Sequence, residues 1–457
     1  MTTAQGVRHA IGEWIQDTAR QYPARLALAG FALTICLFTA LLELPFATRQ
    51  GVRAPFIDAL FTATSAVCVT GLSTVDTGTY WSAWGLTIIG FGIKVGGLGI
   101  MTLATLVGLA VAKRIGLTQR LLAAGEARAS GLGDVRSLLA IIVVVSTVTE
   151  LVIAAALFPR FLTLGYGLGK SAGFSLFYGV SSFNNAGFSP DPVGLYPYAG
   201  DLWMLLPIGL GVLIGALGFP VYLNLLRQWR TPRRWTLHTK LTLTMVAVLS
   251  VVSAALLLLF EWSNPKTLGS ASTAQTIGNV VFQSINQRSG GFSSFDLSGA
   301  TQQTWLTEDV LMFIGGGSGG TAGGIRVGTL AVLLLAIWAE VRGRRDIEAF
   351  GKRIGTEVLR LAVSVTLISL FTVLVGTAVF MAVTGIPLDR SLYEVVSAFA
   401  TCGLTTGITG DLNTAGEVTL IVLMYVGRVG SLTAVAALAL NRERRVIRYP
   451  AERPLVG

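Results

Sequence analysis

The sequence predicts an all-α integral membrane protein of eight spanning helices, grouped as four repeats of span, short re-entrant helix and second span. Three observations predict it: an apolar composition, recurring apolar stretches of bilayer length, and four glycine-bearing turns at near-even spacing.

Of the 457 residues, 52% are hydrophobic and only 13% charged, with a mean hydropathy of +0.67. Soluble domains carry about a quarter charged residues, so too little polar surface is present to coat a water-soluble body of this length. A helix needs about 20 residues to cross a hydrocarbon core. Leu26–Pro45, Ser137–Phe158, Leu202–Leu226, Leu241–Phe260, Leu359–Val383 and Val418–Leu440 are apolar and long enough. The first follows an Arg-bearing leader without a small-residue cleavage signature and is expected to be a retained span, not a signal peptide.

The net charge of +10 raises the question of a nucleic-acid partner, and its distribution argues against one. Five clusters, within Arg8–Arg25, Lys113–Arg136, Arg227–Lys240, Arg342–Arg360 and Arg442–Arg453, hold 24 of the 34 Lys and Arg residues. Basic residues favour the cytoplasmic side, which puts both termini on that side and the four poorer connections outside.

Each outer connection holds a short apolar segment and then a small-residue turn. The segments are Phe56–Ala66, Ala172–Ser182, Ser272–Ile285 and Arg390–Phe399. The turns are Cys68, Val69, Thr70, Gly71; Asn184, Asn185, Ala186, Gly187; Arg288, Ser289, Gly290, Gly291; and Ala400, Thr401, Cys402, Gly403. Their last glycines stand 116, 104 and 112 residues apart, which marks an internal repeat. The repeats are 26–112, 137–226, 238–341 and 358–440, followed by a cytoplasmic tail, 441–457.

A helix that descends halfway must return through irregular backbone, which membranes tolerate only where protein buries it or water fills a cavity. Four such membrane–pore–membrane units about one axis make a pseudo-fourfold pore. Helix C-termini carry partial negative charge, and returning strands offer carbonyl oxygens that replace a cation's hydration. Glycine permits the left-handed angles that turn those carbonyls inward. The result is a main-chain filter for a monovalent cation, whose side chains can vary between repeats.

The chain resembles the Trk/Ktr/HKT potassium transporters, and within them the KtrB-like pore subunits. The likeness rests on the four turns, on Gly96-Gly97-Leu98-Gly99-Ile100-Met101-Thr102, Gly218-Phe219-Pro220-Val221 and Gly427-Arg428-Val429-Gly430, and on the terminal Arg448–Gly457. It rests also on the run Gly315, Gly316, Gly317, Ser318, Gly319, Gly320, Thr321, Ala322, Gly323, Gly324. The resemblance implies K⁺ as the transported ion, with stimulation by Na⁺. It implies a homodimer contacted through Leu455-Val456-Gly457, and a cytoplasmic ring of nucleotide-binding regulatory subunits on the basic inner loops. It also implies that the Gly315–Gly324 run is a flexible gating loop beneath the filter and that Arg428 adds an electrostatic barrier there.

The residues themselves leave alternatives. The glycine run lacks the Gly-Lys-Ser/Thr ending of a phosphate-binding loop but is compatible with a plain broken or closely packed helix. Arg428 lies mid-span, where a cation faces a cavity or a partner, and pairing with loop carbonyls would also satisfy it. Lys94 could form a barrier, an internal ion pair, or an interfacial charge. Asp76, Asp191, Asp296 and Asp411 follow the turns and suit either helix capping or an acidic vestibule that concentrates cations. Cys68 and Cys402 are expected to pack structurally, and with Cys36 they are too scattered for a disulfide framework. His9 and His238 lack partners for a zinc site, and neither a nucleophile–base set nor paired carboxylates appears, so no enzyme is expected. Two rivals remain: an alternating-access secondary transporter, and a channel that passes both K⁺ and Na⁺.

Overall fold

A computed structural model describes residues 23–114 and 135–430. The expectations for Arg448–Gly457, the dimer contact at Leu455–Gly457, both termini and the 441–457 tail lie outside the described residues. The described chain is mostly helical, because in hydrocarbon a single segment satisfies its own backbone N–H and C=O groups only as a helix.

Helix α1 (Pro23–Leu42) opens on proline, whose fixed φ and missing N–H suit a first helical position. The short α2 (Phe56–Val67) follows, and then the long α3 (Ala83–Arg114). Next come α4 (Val135–Thr163) and the short α5 (Leu168–Phe183), which begins four residues before its expected start. The pair α6 (Leu202–Leu217) and α7 (Phe219–Gln228) corrects the expected single span Leu202–Leu226, since Gly218 breaks it with a bend of 97°. At φ 95°, Gly218 occupies a region that a β-carbon makes costly.

The second half has α8 (Leu237–Glu261), the short α9 (Thr273–Asn286), α10 (Gln302–Ile314) and α11 (Val327–Val341). The apolar stretch shared by α10 and α11 is interrupted at residues 315–326. Helix α12 (Thr356–Thr384), the short α13 (Leu388–Phe399) and α14 (Thr414–Tyr425) complete the order, and a π-helical turn, Val426–Gly430, ends the described chain. A further correction to the all-helical expectation is a hairpin of β1 (Ile347–Ala349) and β2 (Lys352–Ile354), in the register Ile347 to Ile354. Ile347 and Ile354 are buried beside α11 and α12 residues.

Among the described residues, four helices meet the length and apolarity needed to cross a membrane: Ala83–Ala104, Leu139–Thr163, Leu237–Glu261 and Thr356–Thr384. The bent pair α6–α7 meets the test when taken together, and Leu28–Leu42 and Val327–Val341 are shorter apolar helices. Large apolar side chains such as Leu33, Val251 and Phe371 stand outward and exposed. Water would penalise such a surface, whereas lipid tails match it.

The short helices organise the interior. Each packs on a helix of the neighbouring unit: α5 on α3, α9 on α6, α13 on α10, and α2 on α14. The last contact joins the start of the chain to its end and closes the circuit. Helix α9 starts with a reciprocal capping box between Ser272 and Gln275. Ser272→Ala is expected to cost about 1 kcal/mol, measured as a lowered unfolding temperature in detergent; an unchanged value would mean that packing alone fixes this helix end.

Candidate functional site

The four turns begin where the short helices stop, and three of the stops are built alike. Thr70 N–H donates to the Ser65 carbonyl at 2.7 Å and Val69 N–H to Ala66 at 3.1 Å. Ala186 and Asn185 repeat this on Ser181 and Ser182 at 2.8 and 3.1 Å, and Cys402 and Thr401 on Ser397 and Ala398 at 2.9 and 3.1 Å. This is a Schellman stop, which requires a left-handed residue. Here that residue is not glycine: Val69, Asn185 and Thr401 have φ of 56°, 58° and 48°, a conformation costing roughly 1–2 kcal/mol for an L-residue.

The same three turns share a serine six residues before the glycine. Ser65 Oγ and Ser397 Oγ accept from Gly71 N–H and Gly403 N–H, each at 3.0 Å, and Ser181 Oγ donates to the Phe188 carbonyl at 2.8 Å. The third turn has Ile285 at that position, and Ser289 stands outside the left-handed region. There Gly290 N–H donates to the Asn286 carbonyl at 2.7 Å. In three of the four turns a non-glycine residue thus joins the closing glycine in the left-handed region.

The closing glycines meet one another. Gly71, Gly187, Gly291 and Gly403 all have positive φ, at 101°, 70°, 71° and 99°. A β-carbon on Gly71 would sit 2.4 Å from the Ala186 oxygen, and one on Gly187 would sit 2.8 Å from Gly291 Cα. One on Gly291 would meet the Cys402 oxygen at 2.4 Å, and one on Gly403 the Thr70 oxygen at 2.1 Å. The turns therefore converge in a closed order, with backbone oxygens at their contacts and no room for side chains.

Side chains point away from this centre. Arg288 reaches outward, donating through Nη2 to Ser250 Oγ at 2.9 Å and through Nη1 to the Val246 carbonyl at 3.4 Å on α8. Asn184 Nδ2 donates to Glu150 Oε1 at 2.9 Å. Glu150 accepts from Lys94 Nζ at 2.7 Å, so of the roles open to Lys94 the structure carries the internal ion pair. Cys68 and Cys402 are buried free thiols. Asp76 and Asp296 cap helical turns, accepting from Thr79 N–H at 2.8 Å and Ser298 N–H at 2.9 Å. Buried Asp191 instead accepts from Tyr178 and Tyr198, each at 3.1 Å, and from Tyr166 at 3.3 Å. Asp411 is exposed in a short 3₁₀ turn.

The glycine run lies directly beneath the turns. Thr321 Oγ1 donates to the Phe183 carbonyl at 3.1 Å, and Gly323 N–H to Ser289 Oγ at 3.0 Å. A β-carbon on Gly323 would lie 1.8 Å from the Ala400 oxygen. The broken helix α6–α7 cradles the other side: Gly317 and Thr321 N–H donate to Ala216 and Gly215 carbonyls at 2.7 and 3.2 Å, and Phe219 N–H to Gly319 at 3.1 Å. Arg428, 2% exposed, donates from Nη1 to the Thr321 carbonyl at 2.6 Å. Arg326, outside the expected set, donates to the carbonyls of Gly317 and Ala322. A cation within an apolar run was the available signal for Arg326, as for Arg428.

The family model for TrkH, described as a cation transport protein, matches residues 10–446. The chain belongs to the TrkH family. Within it, the chain is 37% identical over 438 residues to Ktr system potassium uptake protein B of Bacillus subtilis (strain 168), covering 96% of both chains. It is 35% identical over 444 residues to the potassium/sodium uptake protein NtpJ of Enterococcus hirae, covering 96% of this chain and 98% of that one. The crystal structure of the potassium transporter TrkH from Vibrio parahaemolyticus matches the fold with a TM-score of 0.66 at 20% identity, over 89% of this chain and 84% of that one. The TrkH-family assignment and the apolar helices make this a multi-pass membrane transport protein, not an enzyme.

Proposed function

We propose that the chain is the pore-forming subunit of a bacterial potassium-uptake system, with eight spans arranged as four membrane–pore–membrane repeats in the inner membrane and both termini cytoplasmic. K⁺ passes through the ring of turns, coordinated by main-chain oxygens of residues 68–71, 184–187, 288–291 and 400–403. The single observation that carries this reading is the closed contact order of Gly71, Gly187, Gly291 and Gly403. Repeats of opposite orientation, as in many alternating-access transporters, would not bring four such turns to one centre.

The Gly315–Gly324 loop is the gate. It occupies the exit of the ring, and its carbonyls are held by the guanidinium groups of buried Arg428 and half-buried Arg326, whose positive charge opposes cation passage. The resemblance to KtrB-like pore subunits supports the further reading of a homodimer on a cytoplasmic nucleotide-binding regulatory ring, with Na⁺ as an activator. Purified protein in K⁺-loaded vesicles is expected to release K⁺ down its gradient without an added energy source. Flux that requires a counter-ion gradient in fixed proportion would overturn the pore reading.

One relative, NtpJ of Enterococcus hirae, is a potassium/sodium uptake protein, which favours a second reading in which both ions permeate. Reversal potentials in mixed K⁺/Na⁺ solutions separate the two. In this reading the exposed Asp76, Asp296 and Asp411 make an outer acidic rim, while the fourth expected member, Asp191, is buried against three tyrosines. Converting all three to asparagine is expected to lower K⁺ flux at ~10 mM salt and to have little effect at ~1 M, where screening lengths fall from roughly 30 Å to 3 Å. A loss equal at both salts would remove the rim's electrostatic role.

A further inference from the structure

The four positions three residues before each ring glycine are Cys68, Asn184, Arg288 and Ala400. Among the described residues, Asn184 is the one of these four whose side chain is hydrogen-bonded to a carboxylate. Glu150, on α4, is 3% exposed and Asn184 is fully buried. Both amide protons of Asn184 are used, one on Glu150 Oε1 at 2.9 Å and one on the Val180 carbonyl at 2.8 Å. The other Glu150 oxygen receives Lys94 from α3 at 2.7 Å, and Lys94 donates further to Ser146 Oγ at 2.9 Å and Thr147 Oγ1 at 3.2 Å. An ammonium has three protons, and these three acceptors take all of them.

We infer that Glu150 is a positioning residue for the second turn, and that Lys94, from the preceding repeat, fixes the carboxylate that does it. This rests on the proposed role of the turns as the filter. The reasoning is geometric. Asn184 is the last residue before left-handed Asn185, so a side chain clamped at Asn184 sets the angle at which the 185–187 strand enters the ring. A charge-assisted bond inside a low-dielectric interior is strong, and a carboxylate there without Lys94 would be severely penalised. Gly97, on the same helix as Lys94, leaves the space: a β-carbon there would lie 2.0 Å from Asn184 Oδ1. Helix α3 thus shapes its neighbour's turn twice, by charge and by absence of a side chain. Serine hydroxyls brace the first, second and fourth turns locally, and this bracing of the second turn additionally crosses between repeats.

Three variants test it by K⁺/Na⁺ permeability ratio in planar bilayers. Asn184→Leu cuts the clamp and leaves the ion pair intact. Lys94→Met with Glu150→Leu removes clamp and charges together, so neither charge is stranded. Lys94→Met with Glu150→Gln removes the charges but keeps an acceptor for Asn184. The first two are expected to lower the ratio about tenfold, the worth of one strong buried hydrogen bond, and the third to stay within about twofold of the parent. Parent-like ratios in the first two, an equal loss in the third, or failure of all three to assemble in the membrane would each overturn the assignment and leave the pair a scaffold only. A parent chain without K⁺ preference would instead refute the filter reading itself.

Discussion

Gly291→Ser lowers the K⁺/Na⁺ permeability ratio by about tenfold or more in mixed-ion reversal potentials. The residue sits at φ 71°, and a β-carbon would stand 2.4 Å from the Cys402 oxygen and 2.9 Å from Gly187 Cα. Both neighbours are backbone and cannot rotate away. Adopting the left-handed region costs about 1–2 kcal/mol for a serine, and relieving the overlap must move one of two adjoining strands. A shift of a few tenths of an ångström alters every oxygen that strand presents, and about 1.4 kcal/mol of differential coordination is a factor of ten. The third turn is the sensitive one, since it lacks the serine brace and the Schellman stop found in the others. A parent-like ratio in a correctly assembled variant would remove Gly291 from the ion path.

Arg428→Gln raises basal K⁺ flux. The guanidinium holds the loop by the Thr321 carbonyl at 2.6 Å, while its Nε and Nη2 have no hydrogen-bond partner among the described residues. Glutamine shortens the reach and removes the charge. A hydrogen bond from a charged donor contributes roughly 1.5–3 kcal/mol, which corresponds to about ten- to a hundredfold in the balance between obstructing and withdrawn loop. Single-channel open probability or initial efflux from vesicles measures it. Equal or lower flux would assign Arg428 to the stability of the π-helical end of α14 instead.

The positions of the turns were legible in the sequence. The spacing of four glycines located every turn. The break at Gly218 was hidden because periodicity and apolarity continue through it; only the glycine and the following Phe219-Pro220 hinted at it, and a proline suits the first turn of a new helix as well as a loop. The non-glycine left-handed residues were not legible at all. Val69 and Thr401 are β-branched, the residue type least expected there, and what holds them is a pair of backbone hydrogen bonds that leaves no mark in composition. Glu150 carried a signal, being an acid within an apolar helix, but its partners Lys94 and Asn184 lie 56 and 34 residues away in sequence. Only the folded packing joins them.

The order in which the ring glycines touch makes them resemble the stones of an arch: each is kept in place by the two beside it, and none can settle independently. Damage at one stone loosens its neighbours first. Paired substitutions at adjacent turns should therefore depart from the sum of their separate effects, as coupled contacting residues do; on the proposed filter reading, discrimination between ions then belongs to the whole span of the arch, not to any one of its four members.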